Sequence, residues 1–330
     1  MNYGKIIATA HYAPAKVVSN DDLGAIMDTN DEWITSRTGI RRRHIAVDEN
    51  TSDLAIKVAQ DLLGKSRLAA EDIDFIIVAT TTPDYTTPSV AAQVQGAIGA
   101  VNAFAYDMSA ACTGFVFALS TAERYINSGL YKNVMVIGAE TLSKVTNWND
   151  RRTAVLFGDA AGGLILSSGE KQHILAEKLR SDGTRGGSLT TSFVQNKNPW
   201  WTGEVVEPDA TQTPYLTMIG KDIFSFATKE VPRNIVETLE LAGMGAGDVD
   251  LYLLHQANSR ILDVLARKLK VEREKLPQIM DEYGNTSGAS IPLILSELVD
   301  AGTIKLDGTQ TVVFTGFGGG LTWGTLVLHI

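Results

Sequence analysis

A chain of 330 residues, 44% hydrophobic and 20% charged, has the usage of a folded soluble protein and the length of one large α/β domain or two packed halves; disordered and fibrous classes are excluded. Its 38 acidic residues against 29 basic ones leave a net charge of -9, which argues against general nucleic-acid or anionic-membrane binding but leaves room for a local basic patch. No apolar run approaches the roughly 18 residues of a membrane span, and Met1 to Ala10 is too short for a secretory signal, so a soluble cytoplasmic protein is expected. The single cysteine, Cys112, excludes an internal disulfide and a cysteine-based zinc site.

In chain order, helical periodicity at Asp53–Leu63 gives way to nearly continuous apolar runs at Ile73–Ala79 and Ala103–Met108. A helix over Gly114–Ile126 and a run at Val134–Gly138 follow. Later come a helix over Ile223–Leu241, a run at Leu251–Leu254, helices over Ser259–Leu269 and Pro292–Val299, and a run at Val312–Thr315. Such runs suit central strands covered on both faces, and their alternation with helices implies βαβ crossovers.

The chain also resembles itself. Residues 70–78, A-E-D-I-D-F-I-I-V, match 246–254, A-G-D-V-D-L-Y-L-L, at an offset of 176. The stretch Cys112–Gly129 is similar to Thr286–Gly302, and Phe157-Gly158 is echoed by Phe317-Gly318. Their shared order argues for duplication: halves 1–170 and 171–330, stacked as a layered α/β/α/β/α body. The segment 183–215, with Trp200 and Trp201, reads as a long loop with no assigned role.

Chemistry concentrates at strand-to-helix junctions. In D-M-S-A-A-C-T-G, residues 107–114, small residues carry the chain from a strand end to Cys112 at a helix start. The helix dipole there lowers a thiol pKa and favours a nucleophilic thiolate, although a buried structural cysteine fits the same position. His255 ends the run Leu251–Leu254 and opens H-Q-A-N-S-R; Asn285 lies in the turn Y-G-N-T-S-G-A-S. Either alone is usually structural, but three such residues at strand carboxyl ends of a duplicated fold point to a site. The other histidines, His11, His44, His173 and His329, have no partner signal, and Arg41–Arg43 reads as ordinary surface. G-F-G-G-G-L-T-W-G, residues 316–324, lacks the Lys-Ser/Thr of a phosphate loop; it fits equally a tight turn or a backbone oxyanion site.

Taken together, D-M-S-A-A-C-T-G, H-Q-A-N-S-R, G-N-T-S-G-A-S and G-F-G-G-G-L-T-W-G, with D-E-W-I-T-S-R-T-G-I at 31–40, resemble β-ketoacyl-acyl-carrier-protein synthase III, the condensing enzyme that starts bacterial fatty-acid synthesis. The resemblance runs from Lys5 to the carboxyl terminus. It implies the thiolase fold, a homodimer, no metal and no resident cofactor, coenzyme A thioester being a substrate. Thiolases need a second catalytic cysteine, and elongating synthases use two histidines where Asn285 stands here. Hydroxymethylglutaryl-CoA synthases need a glutamate near the nucleophile, and the nearest in sequence, Glu123, lies deep in the following helix. Plant-type polyketide synthases share the Cys-His-Asn set but run longer and lack this H-Q-A-N-S-R segment.

Residue by residue, the resemblance implies that Cys112 takes the acyl group from acyl-CoA. The backbone N–H groups of Cys112 and Gly319 would form the oxyanion hole, and His255 with Asn285 would stabilise the enolate from malonyl-acyl carrier protein. Trp33 and Arg151 resemble the pair that sandwiches the adenine of coenzyme A, with Arg37 and Thr38 at the same mouth and Asn258 beside the pantetheine arm. Gln256, Ala257, Asn258, Ser259 and Arg260 correspond to the carrier-protein-binding segment. Arg260, Arg267 and Lys268, spaced i, i+7, i+8, share a helix face suited to an acidic carrier protein. Thr87 stands where many members carry a Phe that limits the acyl pocket from the partner subunit. An acyltransferase with a non-malonyl acceptor, or a non-catalytic homologue, are the other readings.

Overall fold

The computed structural model describes residues 2–194, 200 and 213–330. Most of its strands form two mixed sheets. The first orders β1 (Tyr3–Tyr12), β5 (Ala160–Gly169), β4 (Asn133–Glu140), β2 (Phe75–Ala79) and β3 (Phe104–Met108); the second orders β7 (Leu251–Leu254), β8 (Thr311–Gly318), β9 (Thr322–His329) and β6 (Ile174–Ser181). Pairs β2–β3, β2–β4 and β7–β8 are parallel, the crossovers expected from the sequence. The remaining pairs are antiparallel. One antiparallel strand escapes the periodicity: Ala160–Gly169, between β1 and β4, reads A-A-G-G-L-I-L-S-S-G, and Gly162 is there because a Cβ would fall 2.6 Å from the Leu293 nitrogen.

Among the described residues seven helices have eight residues or more: α1 (Asp31–Thr38), α2 (Thr51–Ser66), α3 (Val90–Ile98), α4 (Gly114–Asn127), α5 (Gly220–Leu241), α6 (Ser259–Leu269) and α7 (Ser290–Asp300). Strand side chains alternate between layers with a period of two. Ile76 and Val78 pack with Leu54, Val58 and Val94 of α2 and α3, whereas Phe75 and Ile77 turn inward to Phe115, Leu119 and Ile294 of α4 and α7. In the second sheet Phe314 and Leu326 join that inner cluster, while Val313 and Val327 face Phe226, Ile235, Ile261 and Leu265 of α5 and α6. The order α2/α3, sheet, α4/α7, sheet, α5/α6 is the five-layered α/β/α/β/α body of the thiolase fold. Each large side chain so buried contributes roughly 1.5–3 kcal/mol, which makes the central layer rigid.

Rigidity there is what holds the two helix starts in register. Ala111, first residue of the short turn before α4, has φ +47°, and Ser287, first residue of the turn before α7, has φ +49°. Their separation, 287 minus 111, is the 176 of the internal repeat.

Two surface expectations change. Arg42 and Arg43 lie in the short ribbon Arg42–Ile45, paired with Lys16–Ser19, so alternation sends Arg42 out and Arg43 in. Arg43 is fully buried, and its guanidinium donates to Val18 O, Asn20 Oδ1 and Val155 O at 2.9–3.2 Å. Burial pushes it down to about 10, and it ties the ribbon to the segment leading into Phe157. The segment 183–215 is not loop throughout: Gly183–Ser188 makes a 3-10 turn, and Leu189–Thr190 pairs with Thr217–Met218. Trp201 lies outside the described residues. No helix among the described residues is long and apolar enough to cross a membrane.

Candidate active site

Cys112, His255 and Asn285 line one cavity of about 390 Å³, with Phe157, Leu189, Phe317 and Gly319. Each arrives there at the end of a strand or in a turn that leads into a helix, the central helices α4 and α7 for Cys112 and Asn285 and the outer helix α6 for His255. Cys112 follows β3 and sits in the turn Ala111–Thr113 that opens α4. His255 extends β7, its N–H donating to Thr315 O at 2.9 Å, and its ring meets Phe317 edge-on with centroids 5.2 Å apart. Asn285 is fastened by its own backbone: its N–H donates to Leu156 O at 2.8 Å and its carbonyl accepts from Gly158 N at 3.1 Å. Phe157 and Phe317, the echoed pair, therefore flank Asn285 and His255 respectively.

Hydrogen bonds fix the polar ends. Asn285 Oδ1 accepts from Ser287 N at 2.9 Å, which turns the donating Nδ2 away from that backbone. His255 Nδ1 lies 2.9 Å from Ser290 Oγ, and burial pushes the ring down to about 3, so it is neutral. The Gly-rich turn closes over the nucleophile: a Cβ on Gly318 would fall 2.9 Å from Cys112 Cβ, and one on Gly319 3.4 Å from Ala111 Cβ.

The thiol corrects an expectation. Cys112 stands at a helix start, yet burial pushes it up to about 12; the Ser287 hydroxyl counters this and the Glu140 carboxylate adds to it. Desolvation outweighs the dipole, so the resting group is a thiol and loses its proton only as it reacts. Glu140 also corrects the search for a nearby glutamate, because the carboxylate whose charge acts on the Cys112 thiol comes from β4 and not from α4. It is fully buried, accepting from Thr80 Oγ1, Thr81 N and Oγ1, and Thr82 Oγ1 at 2.6–3.3 Å. Glu123 is instead used at the amino terminus, accepting from Gly4 N.

Trp33, Arg37 and Arg151 do not line the cavity but cluster together: Arg37 and Arg151 lie 4.7 and 5.4 Å from the Trp33 ring centroid, and Arg151 also pairs with Asp28 at 3.0 Å. Asn30 caps α1 through Trp33 N at 2.8 Å, and Gly39 ends it at φ +83°. Thr38 does not face the mouth: it is buried, its hydroxyl donating to Ile34 O and accepting from Ile40 N as it closes α1. Asn258 lines the cavity, donates to Arg37 O at 3.0 Å and caps α6. Arg260 is exposed and reaches Ser36 O at 2.7 Å, next to Ser259; Ala257 is half-buried on the cavity wall. Gln256 is a correction, since it is fully buried and spends its amide on Leu254 O, Pro277 O and Ile279 N, leaving nothing for a partner. Arg267 and Lys268 are exposed on α6. Thr87 is exposed and lines no part of this cavity. Among the described residues no group of three His, Cys, Asp or Glu side chains is placed to hold a metal ion.

Leu142, Phe157 and Leu216 form the apolar wall beyond Cys112, with Leu189 against them. Sequence reading missed this wall, because its members come from four separate segments.

The family model described as 3-oxoacyl-[acyl-carrier-protein] synthase III matches residues 106–183, and its carboxyl-terminal counterpart matches 239–330. A beta-ketoacyl-[acyl-carrier-protein] synthase III of Streptococcus sanguinis is 59% identical over the full length of both chains. One of Lactococcus lactis is 58% identical, again over both full lengths. The crystal structure of 3-oxoacyl-[acyl-carrier-protein] synthase III from Aquifex aeolicus superposes with a TM-score of 0.91 at 40% identity, covering 99% of this chain and 100% of that one.

Proposed function

The chain belongs to the 3-oxoacyl-[acyl-carrier-protein] synthase III family, and we propose that Cys112, His255 and Asn285 divide its reaction between them. It is a condensing acyltransferase that initiates fatty-acid synthesis by joining an acyl-CoA to malonyl-acyl carrier protein. The assignment of roles is carried by the convergence of one thiol, one neutral imidazole and one pinned amide in a single cavity with an apolar wall. Supporting the halves 1–170 and 171–330, the strands of the first sheet fall within 3–169 and those of the second within 174–329.

In the first step Cys112 Sγ bonds the acyl carbon, the carbon–sulfur bond to CoA breaks, and the thiol proton leaves with the CoA thiol. The N–H groups of Cys112 and Gly319 hold the oxyanion. Malonyl-acyl carrier protein then loses carbon dioxide, and the enolate oxygen accepts hydrogen bonds from His255 and Asn285. The enolate carbon attacks the acyl carbon, freeing Cys112, which regains a proton from solvent. No resident cofactor enters this sequence. Trp33, Arg37, Arg151 and Asn258 bind the coenzyme A arm, and Thr38 contributes by holding the end of α1. The location read from these substrates is cytoplasmic, checked by cell fractionation.

Intact mass after exposure to a panel of acyl-CoAs tests the reading. Wild type gains one acyl group and Cys112→Ser none; an equal gain by Cys112→Ser would remove the nucleophile. The same panel tests pairing of two copies. Strand β3 is an open sheet edge with half-buried Phe104, Tyr106 and Met108, the feature that supports a homodimer in which Thr87 enters the partner's acyl pocket. On that reading Thr87→Phe restricts acylation to short chains, and an unchanged profile sinks it.

Carrier-protein docking falls to Ala257, Ser259 and above all Arg260, with Arg267 and Lys268 extending the basic face of α6. Arg260→Glu is expected to raise the KM for malonyl-acyl carrier protein about tenfold, the cost of reversing one interfacial charge, without altering acylation by acyl-CoA. An unchanged KM would move docking elsewhere.

A further inference from the structure

His255 donates a hydrogen bond into the cavity only when its single imidazole proton sits on Nε2. The ring is neutral, so it has one N–H and one bare nitrogen, and whatever faces Nδ1 decides which is which. Two groups meet the ring. The Ser287 backbone carbonyl, 2.9 Å from the Ser290 hydroxyl, can only accept, and its hydrogen bond to the ring favours a proton on the nitrogen that meets it. Ser290 Oγ, 2.9 Å from Nδ1, can donate instead.

Ser290 is fully buried at the first position of α7. Its hydroxyl stands 2.9 Å from Ser287 O and accepts from Gln256 N at 3.4 Å. One hydroxyl proton thus has two acceptors within reach, Ser287 O and His255 Nδ1. The carbonyl does not depend on it, because it already accepts the backbone N–H of Ser290. Rotating the hydroxyl towards Nδ1 therefore leaves no buried group unpaired, while Gln256 N–H continues to fill a lone pair on Oγ.

We propose that Ser290 is a positioning residue: by donating its hydroxyl proton to Nδ1 it holds His255 as the Nε2–H tautomer that stabilises the enolate. The inference rests on the reading of His255 as a donor to the thioester oxygen. Ser290 touches no substrate. Negative charge on that oxygen favours Nε2–H further, so the hydroxyl rotation and the developing enolate support one another.

The test uses the full-length enzyme and its Ser290→Ala variant, in which the Ser287 carbonyl is the remaining polar partner of the ring. Acylation of Cys112 should be unchanged, malonyl decarboxylation should fall on the order of 100-fold, and nitrogen NMR of the labelled His255 ring should change from an Nε2–H to an Nδ1–H pattern. Ser290→Thr, which keeps the hydroxyl, should recover the Nε2–H pattern and most of the rate. A Ser290→Ala enzyme that still shows Nε2–H overturns the proposal even if it is slow, because a rate loss without a tautomer change marks a packing role. The underlying reading fails separately: undiminished decarboxylation by His255→Ala overturns the donor role itself, whatever the tautomer in Ser290→Ala.

Discussion

Asn285→Ala is expected to acylate at the wild-type rate and to lose malonyl decarboxylation by roughly 10²–10³-fold, the cost of one preorganised oxyanion donor, or roughly 3–4 kcal/mol. The split follows from where the side chain is held. Asn285 Oδ1 is occupied by Ser287 N at 2.9 Å, so Nδ2 is the end left to donate, and alanine removes it without unfastening the backbone at Leu156 and Gly158. On the proposed division of roles acylation asks nothing of that amide, since its oxyanion would be held by backbone N–H groups. Two assays on one preparation decide the matter: intact mass after acyl-CoA for the first step, and carbon dioxide release from malonyl-acyl carrier protein for the second. Loss of both would make Asn285 a structural support of the cavity, and loss of neither would remove it from the reaction. Asn285→Asp is a sharper control, because a carboxylate has the shape of the amide but no N–H to offer an enolate.

How much of this was legible depends on the kind of signal each residue left. Cys112, His255 and Asn285 were readable because each interrupts an apolar run or turn with small residues, a pattern that survives without knowing the fold. The internal repeat was readable for the same reason, and Ala111 with Ser287 shows that it extends to the backbone conformation. Burial was not readable where a polar side chain is paid for by backbone carbonyls. Arg43 and Gln256 look like surface residues in the sequence, but each is enclosed with partners that are mostly main-chain carbonyls, Asn20 Oδ1 being the side-chain exception for Arg43. Glu140 was missed for a topological reason. Strands β2 and β4 are parallel neighbours, so a residue 28 positions from Cys112, 140 minus 112, acts on its thiol while Glu123, only 11 away, is used elsewhere. The thiol itself was misjudged because position at a helix start is visible in a sequence and desolvation is not.

Gly318→Ala is expected to slow acylation by about 10²-fold while leaving the protein folded. The added Cβ would fall 2.9 Å from Cys112 Cβ, 3.1 Å from Sγ and 3.3 Å from the backbone nitrogen, so it crowds the nucleophile and one oxyanion donor at once. Relief requires β8 to retreat from the turn Ala111–Thr113, yet β8 is clamped between β7 and β9 and its Gly316 is equally close, a Cβ there lying 2.8 Å from Thr113 Cα. What yields is therefore the position of the sulfur, and a misplacement of about 1 Å costs about 10²-fold in a reaction that depends on alignment. Gly319→Ala separates crowding from loss of the turn. Its Cβ would meet Ala111 Cβ at 3.4 Å and Leu189 Cδ2 at 3.5 Å, ordinary contacts, and its N–H is retained. It should acylate far faster than Gly318→Ala at a similar melting temperature. If the two variants acylate equally well, the approach of the Gly-rich turn to Cys112 does not set the geometry of the nucleophile.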